Sequence, residues 1–508
     1  AGNLRTDVKT AASKADAGYT DFAYANIPFM ASDSCPDGLI INIRKDTWSR
    51  ATLQAGHFID FGEGTFTRVP NTDKAQASYA TYYNLVCKQP NANGITAWTA
   101  SGAMNISATG LNADINMTGA ASSATADSIE FNMVNLYANG GKINVDGGSQ
   151  NVALSTNSGA NNIGGSSSSS MSGDVTIKGD QITIGTTTTT FKNASKVYLI
   201  SKANSFNGAQ TFGSGMVTTN IGYLGVGLST NTSAITLSGT NSVAGTIDVY
   251  GAALTISGAQ TTTAGGDINI NGTGAVSISA DQTSADQVNV TGSSISVSGS
   301  LSAAATTGPG ILLKSTGDIS TSGTRTFTTS GSNATFWADS DANGAGRVGF
   351  DATNSITTSG GNVTIAGGAD DGASTVTGSA RTANDGIPDG YSAGNGSTSN
   401  CNAVSATILG VYFGPTMTIS SGNGDVFIAG KGLSGATGNC ASGVLARPDF
   451  WLTAGSGKVG IFGIANAAAG STYSMGVGFF GSSTRKTIIS SSNTASDSIT
   501  FSGTSGMT

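Results

Sequence analysis

The chain has 508 residues, of which 38% are hydrophobic and only 10% charged, with 73 Gly, 8 Pro and a formal net charge of −7. That balance gives no basic patch for nucleic acid and no electrostatic hold on an anionic membrane surface. No apolar run approaches the ~20 residues of a membrane-spanning helix, so no membrane insertion is expected.

Residues 1–98 differ in character from the rest of the chain. They hold many of the charges and a dense aromatic set that includes Tyr19, Phe22, Trp48, Phe58 and Tyr82. Asp7 to Ala17 reads as a short helix, and Ala1 fits a terminus left by export cleavage at a small residue. The segment is expected to cap a solenoid or to serve in assembly, because an open solenoid end exposes unpaired strand edges. Cys35 and Cys87 fall here, while Cys401 and Cys440 lie beyond residue 400. Four cysteines allow three connectivities. Local disulfides, Cys35 with Cys87 and Cys401 with Cys440, would each pin an insertion; free buried thiols are the alternative. Such bridges imply an oxidising, extracytoplasmic compartment. His57 is the only histidine and is expected to be structural, and no Cys sits at zinc-ligand spacing.

From 99 to 365 a refrain sets the rhythm: Gly, a polar residue, then alternating β-branched apolar positions. It reads Gly141-Lys142-Ile143-Asn144-Val145, Gly173-Asp174-Val175-Thr176-Ile177 and Gly266-Asp267-Ile268-Asn269-Ile270. Between 247 and 298 the register is clearest. Ile247, Ile268 and Val288 recur after 21 and then 20 residues, with Val249, Ile270 and Val290 two positions later. A second strand gives Leu254, Val276 and Ile295, partnered by Ile256, Ile278 and Val297. Alternation is the period of a strand, and Gly, Asn, Ser and Asp between the strands are turn residues. One short strand with one apolar face cannot bury that face alone, whereas stacked copies can. The predicted fold is all-β, a parallel β-helix of about 20 residues per rung. Leucine-rich repeats would need a Leu framework and a helical segment, and an antiparallel sandwich would not keep one coil length. Roughly 400 residues at this period give at most about 20 rungs, a rod of ~70–100 Å. Thr, Ser and Asn are expected to point outward as polar ladders.

Residues 366–403 break the rhythm with Gly, Asp, Asn and Ser and predict a loop excursion. From 404 to 508 rungs resume with more aromatic residues, among them Phe413, Phe427, Phe450 and Phe462, and 431–447 forms a second excursion around Cys440. Ser498-Ile499-Thr500-Phe501 is a strand pattern with no recognisable cap after it, which predicts that a neighbouring chain covers that end.

Asp339-Ser340-Asp341-Ala342-Asn343-Gly344 matches the opening of a calcium loop, with hard oxygen ligands at alternate positions and a Gly for the sharp turn. Phe350 stands where the bidentate Glu belongs, and Asp351 is the candidate substitute. Calcium is therefore the one cofactor expected, on Asp339, Asp341, Asn343 and Asp351, against a plain polar turn. Asn384-Asp385-Gly386-Ile387-Pro388-Asp389-Gly390 is similar to the later half of a thrombospondin type 3 calcium repeat, with Arg381 and Ala383 where acids would stand. Catalysis has little to work with. β-Helix lyases and glycosidases need carboxylates, or Asp-bound calcium with a basic residue, along one sheet. The only Glu residues are Glu63 and Glu130, and Arg347 is the one basic candidate near the Asp339 loop.

The Gly-Asp-Val-Thr-Ile and Gly-Asp-Ile-Asn-Ile rungs resemble those of the filamentous haemagglutinin family and related autotransporter passengers. The resemblance covers 99–365 and, more loosely, 404–501. It implies a secreted β-helix acting in adhesion, surface coating or biofilm formation. The expected function is an extracellular, cell-surface structural protein, a self-assembling subunit of a bacterial filament, sheath or layer whose partner is a further copy of itself. One alternative is an adhesin passenger that binds cell-surface glycans through its loops. Another is a polysaccharide lyase or glycosidase.

Overall fold

Inward Val and Ile stack in register from rung to rung: Ile247 pairs with Ile268 and Ile268 with Val288, while Val249, Ile270 and Val290 form the column beside them. All six are buried. The computed structural model describes residues 104–505, apart from 120–126, 155–158, 373–375, 377–380, 397–407, 435–440, 467–473 and 482, together with the backbone of short strands between 22 and 97. The described residues contain no helix. The predicted helix at 7–17 and Cys35, Cys401 and Cys440 lie outside them.

Two units divide the chain, Ala1–Met104 and Asn105–Thr508. Strands of the first unit pair antiparallel: Phe22–Tyr24 with Ile27–Phe29, Leu39–Asn42 with Gly94–Ala97, Trp48–Ile59 with Ser78–Cys87, and Thr67–Arg68 with Ala75–Gln76. His57 falls in the long strand opposite Ala80, and Cys87 ends its partner opposite Trp48.

The second unit is a parallel β-solenoid with three faces. In the regular region the first face holds Ile247–Gly251, Ile268–Gly272 and Val288–Gly292. The second holds Leu254–Ile256, Ala275–Ile278 and Ser294–Val297, with Leu254, Val276 and Ile295 aligned as the spacing predicts. The third holds Gln260–Thr262, Gln282–Ser284 and Leu301–Ala303. The second face alone is a 13-stranded sheet, and the other two faces join at their corners into a 28-stranded one. Among the described residues the 13 strands of the second face, at ~4.8 Å each, make a stack of about 60 Å, shorter than expected. Coil length explains the difference. On the first face the shortest step is the 20 residues from Ile268 to Val288, and other steps reach 32 residues from Ile143 to Val175 and 63 from Val363 to Val426.

The third face departs from the expectation that polar side chains point outward. Asn241, Gln260, Gln282, Thr262 and Ser284 are all buried. Each satisfies backbone at a corner that no ladder serves. The Gln260 amide donates to the carbonyls of Gly239 and Gly258, both at 2.9 Å, and accepts from Asn241 at 2.9 Å. Thr262 and Ser284 both donate to Gly266 O, at 2.6 and 2.8 Å. Buried polar groups of this kind are stable only when paired, and here the pairing closes the bend into the next rung. Outward ladders form as expected on the first face, where Asn269 donates to Asp248 at 2.8 Å and Asn289 to Asn269 at 3.0 Å.

The refrain's glycine has a reason beyond the turn. A Cβ on Gly424 would lie 2.1 Å from the carbonyl oxygen of Gly361 one rung away, and a Cβ on Gly457 would lie 2.0 Å from that of Gly424. Glycines stack on glycines because the corner backbones touch. Gly424→Ala is expected to cost about 1–3 kcal/mol through forced backbone movement. Urea unfolding measures it, and an unchanged midpoint would contradict the close approach.

Candidate functional site

The 366–403 excursion leaves the first face after Val363–Gly367, and described parts of it return to that face. Its strand Ser392–Ala393 pairs in parallel with Gly430 and Lys431, and antiparallel bridges join Gly367 to Gly390 and Gly346 to Ala393. Beneath it the outward side of the sheet turns apolar. Ala366, Ala429 and Phe462 pack with Val376 of the excursion, and Tyr391 and Phe427 border them. Trp337 donates its indole N–H to Gly368 O at 2.8 Å, and its ring carries the Lys314 ammonium at 3.8 Å. The loop is thus a fastened roof, which is what an outward apolar stripe on a sheet requires.

Carboxylates organise the roof. Asp370 accepts from the backbone N–H of Asp385 at 3.2 Å and of Gly386 at 2.8 Å. Asp389 is only 1% exposed; it accepts from Gly372 N at 2.7 Å and from Arg381 Nε at 2.8 Å. The Arg381 guanidinium also lies over the Phe427 ring, 4.3 Å from its centroid. In this repeat-like segment Arg381 occupies a position where a calcium repeat has an acid. The structure gives that arginine the work a cation would do, neutralising Asp389 from within the chain.

The first calcium loop also resolves into a backbone cap. Both oxygens of Asp339 accept from Gly344 N, at 3.0 and 3.2 Å, and Ala345 N adds a second donor at 3.3 Å. Burial pushes the Asp339 carboxyl up, and the N–H donors of Ala345 and Gly344 pull against that shift. Asp341 accepts from Asn343 at 2.8 Å. Asp351 does not join them: strand Val348–Phe350 lies between, putting the loop at one end and Asp351 at the other, roughly 10 Å apart along the strand. Among the described residues no three His, Cys, Asp or Glu side chains gather as a metal site. Asp339, Asp341 and Asn343 thus share one capped turn, and Asp351 lies beyond the strand. Arg347, the basic candidate, is 5% exposed and unreachable by substrate. Its Nε lies 3.6 Å from Asp318 Oδ2 and its backbone N–H donates to Asp318 Oδ1 at 3.1 Å. Burial pulls the guanidinium down and Asp318 opposes that. Asn395 donates to the same carboxylate at 2.6 Å, so this cluster ties the end of the excursion to the rung below.

One open cavity of about 390 Å³ lies between the roof and the sheet. Its floor is the outward column Thr364, Phe427, Gly460 and Thr500, aligned by strand register. Arg381 and Ile387 of the roof form one wall, and a polar rim of Asn362, Asp425, Lys458 and Asp497 forms the other. The rim is ordered by its own ladder: Asp425 N donates to Asn362 and Lys458 N to Asp425, both at 2.8 Å. Lys458 Nζ then meets Asp497 at 2.8 Å, which holds the ammonium up and the carboxyl down. A sequence signal for this site existed. The refrain Gly361-Asn362-Val363-Thr364-Ile365 returns as Gly424-Asp425-Val426-Phe427-Ile428, with an aromatic in the outward place of Thr364. The comparisons with protein-family models, with curated proteins and with solved structures give no match to this chain.

Proposed function

We propose that this protein is an extracellular structural protein, a β-solenoid subunit that self-assembles into a bacterial surface filament, sheath or layer, in the manner of the filamentous haemagglutinin-like and autotransporter-passenger-like proteins its rungs resemble. One observation carries the proposal: an outward column of the third face exposes large apolar side chains. On the third face Trp451 and Ile488 are neighbours in one outward column, at 50% and 47% exposure. A second copy laid against this column would bury Trp451 and Ile488, and the same contact repeated from copy to copy does not close. The enzyme reading is weaker, because Asp339, Asp370 and Asp389 hold backbone N–H groups or Arg381.

Trp451→Asp combined with Ile488→Asp should weaken concentration-dependent association at least tenfold in apparent dissociation constant, since each exchange places a charge in an apolar contact. Sedimentation velocity and electron microscopy read this out. A wild-type protein that remains monomeric at high concentration would refute the proposal.

A further inference from the structure

We infer that the cavity under the excursion binds a neutral sugar residue of a polysaccharide. The volume of about 390 Å³ is that of a small-ligand site. Its chemistry is divided as a sugar ring's is. Phe427, Ile387 and Phe462 offer apolar surface for C–H groups. Asn362, Asp425, Lys458 and Asp497 offer donors and acceptors side by side on the rim, suited to hydroxyls that both give and accept.

Charge selects among sugars. Two cations, Arg381 and Lys458, line the cavity with two carboxylates, Asp425 and Asp497. Each cation already has an anion, Arg381 with Asp389 and Lys458 with Asp497, both at 2.8 Å. An acidic sugar would have to displace those partners and would approach Asp425 as well. A neutral sugar bridges the existing pairs without breaking them. A peptide strand is a poor occupant, because the floor is a sheet face whose backbone groups are bonded to neighbouring rungs and offers no free edge. The Arg381 side chain is held from both sides, by Asp389 and by the Phe427 ring, so the wall is preorganised.

The test uses the full-length protein at a dilution where sedimentation shows no association, so that binding and assembly are read separately. Saturation-transfer NMR and calorimetry compare neutral gluco-, galacto-, manno- and xylo-oligosaccharides with uronate oligomers. At least one neutral series is expected to bind. The double variant Lys458→Ala with Asp497→Ala, both at exposed positions, should weaken it roughly tenfold or more, because it removes hydrogen bonds to charged groups. Thr500→Trp, which fills the floor, should abolish it. Thermal unfolding like the wild type confirms that the variants are folded, and the alanine pair keeps the test alive if the tryptophan variant is not. No neutral oligosaccharide bound at millimolar concentration, tighter binding of uronates, or an affinity indifferent to the alanine pair would each overturn the inference.

Discussion

Phe350→Ala is expected to split the unfolding of the solenoid into two transitions and to lower the stability of the affected rungs by about 3–5 kcal/mol, the usual cost of emptying a buried Phe site. Phe350 is fully buried at the centre of an aromatic run. Its ring meets Phe336 edge-on at 5.1 Å and Phe327 at 6.2 Å, and stacks on Phe413 of the following rung at 5.5 Å. The run continues to Phe450 at 5.0 Å. Three rings, Phe327, Phe336 and Phe350, come from three different faces to fill the core, and the stack carries contact onward across the 63-residue step that contains the excursion. In a solenoid each rung is stabilised by its own packing and by its neighbours, so a defect stays local and uncouples what lies on either side. Phe350 on Phe413 joins the rungs before the excursion to those after it, beside Val348 on Val411, Ile356 on Ile419 and Val363 on Val426. Differential scanning calorimetry and hydrogen exchange on the two sides would resolve the uncoupling. A single cooperative transition with a loss under ~1 kcal/mol would mean that the aromatic run does not join the two halves.

The first two faces were legible because their inward residues are apolar and recur: Ile247, Ile268 and Val288 stand in one column, as do Leu254, Val276 and Ile295. The third face was hidden by its own chemistry. Gln260, Thr262, Gln282 and Ser284 look like solvent-facing residues in a sequence, and they are buried because the corner carbonyls need donors. The calcium reading meets the same ambiguity. Asp-x-Asp-x-Asn-Gly describes alternating oxygens around an ion and equally a carboxylate capping a tight turn, and only the separation of Asp351 from Asp339 by strand Val348–Phe350 distinguishes them. The cavity escaped notice because its walls come from segments far apart in the chain, with Arg381 facing Lys458 and Asp497. Phe427 at an outward place of the refrain was the one local mark of it.

Arg381→Met should release the excursion from the sheet while leaving the solenoid folded. Its partner Asp389 is 1% exposed and would be left as a buried carboxylate with one backbone donor, Gly372 N. Removing one member of a buried pair costs about 3–5 kcal/mol, mostly the penalty for the charge left behind. The loss falls on contacts that belong to the excursion, its bridge at Gly390 and its packing on Phe462, and not on the rung ladder. Limited proteolysis within 366–396 should therefore quicken by two orders of magnitude or more, as a few kcal/mol of local opening implies. The main unfolding transition should stay within about 2 °C of the wild type, because the ladders below are untouched. Adding Asp389→Leu to the same chain should recover much of the protection, since apolar replacement of both partners removes the stranded charge. If the single variant were as resistant as the wild type, the ion pair would not be what holds the roof down, and the apolar cluster of Ala366, Ala429 and Phe462 would suffice by itself.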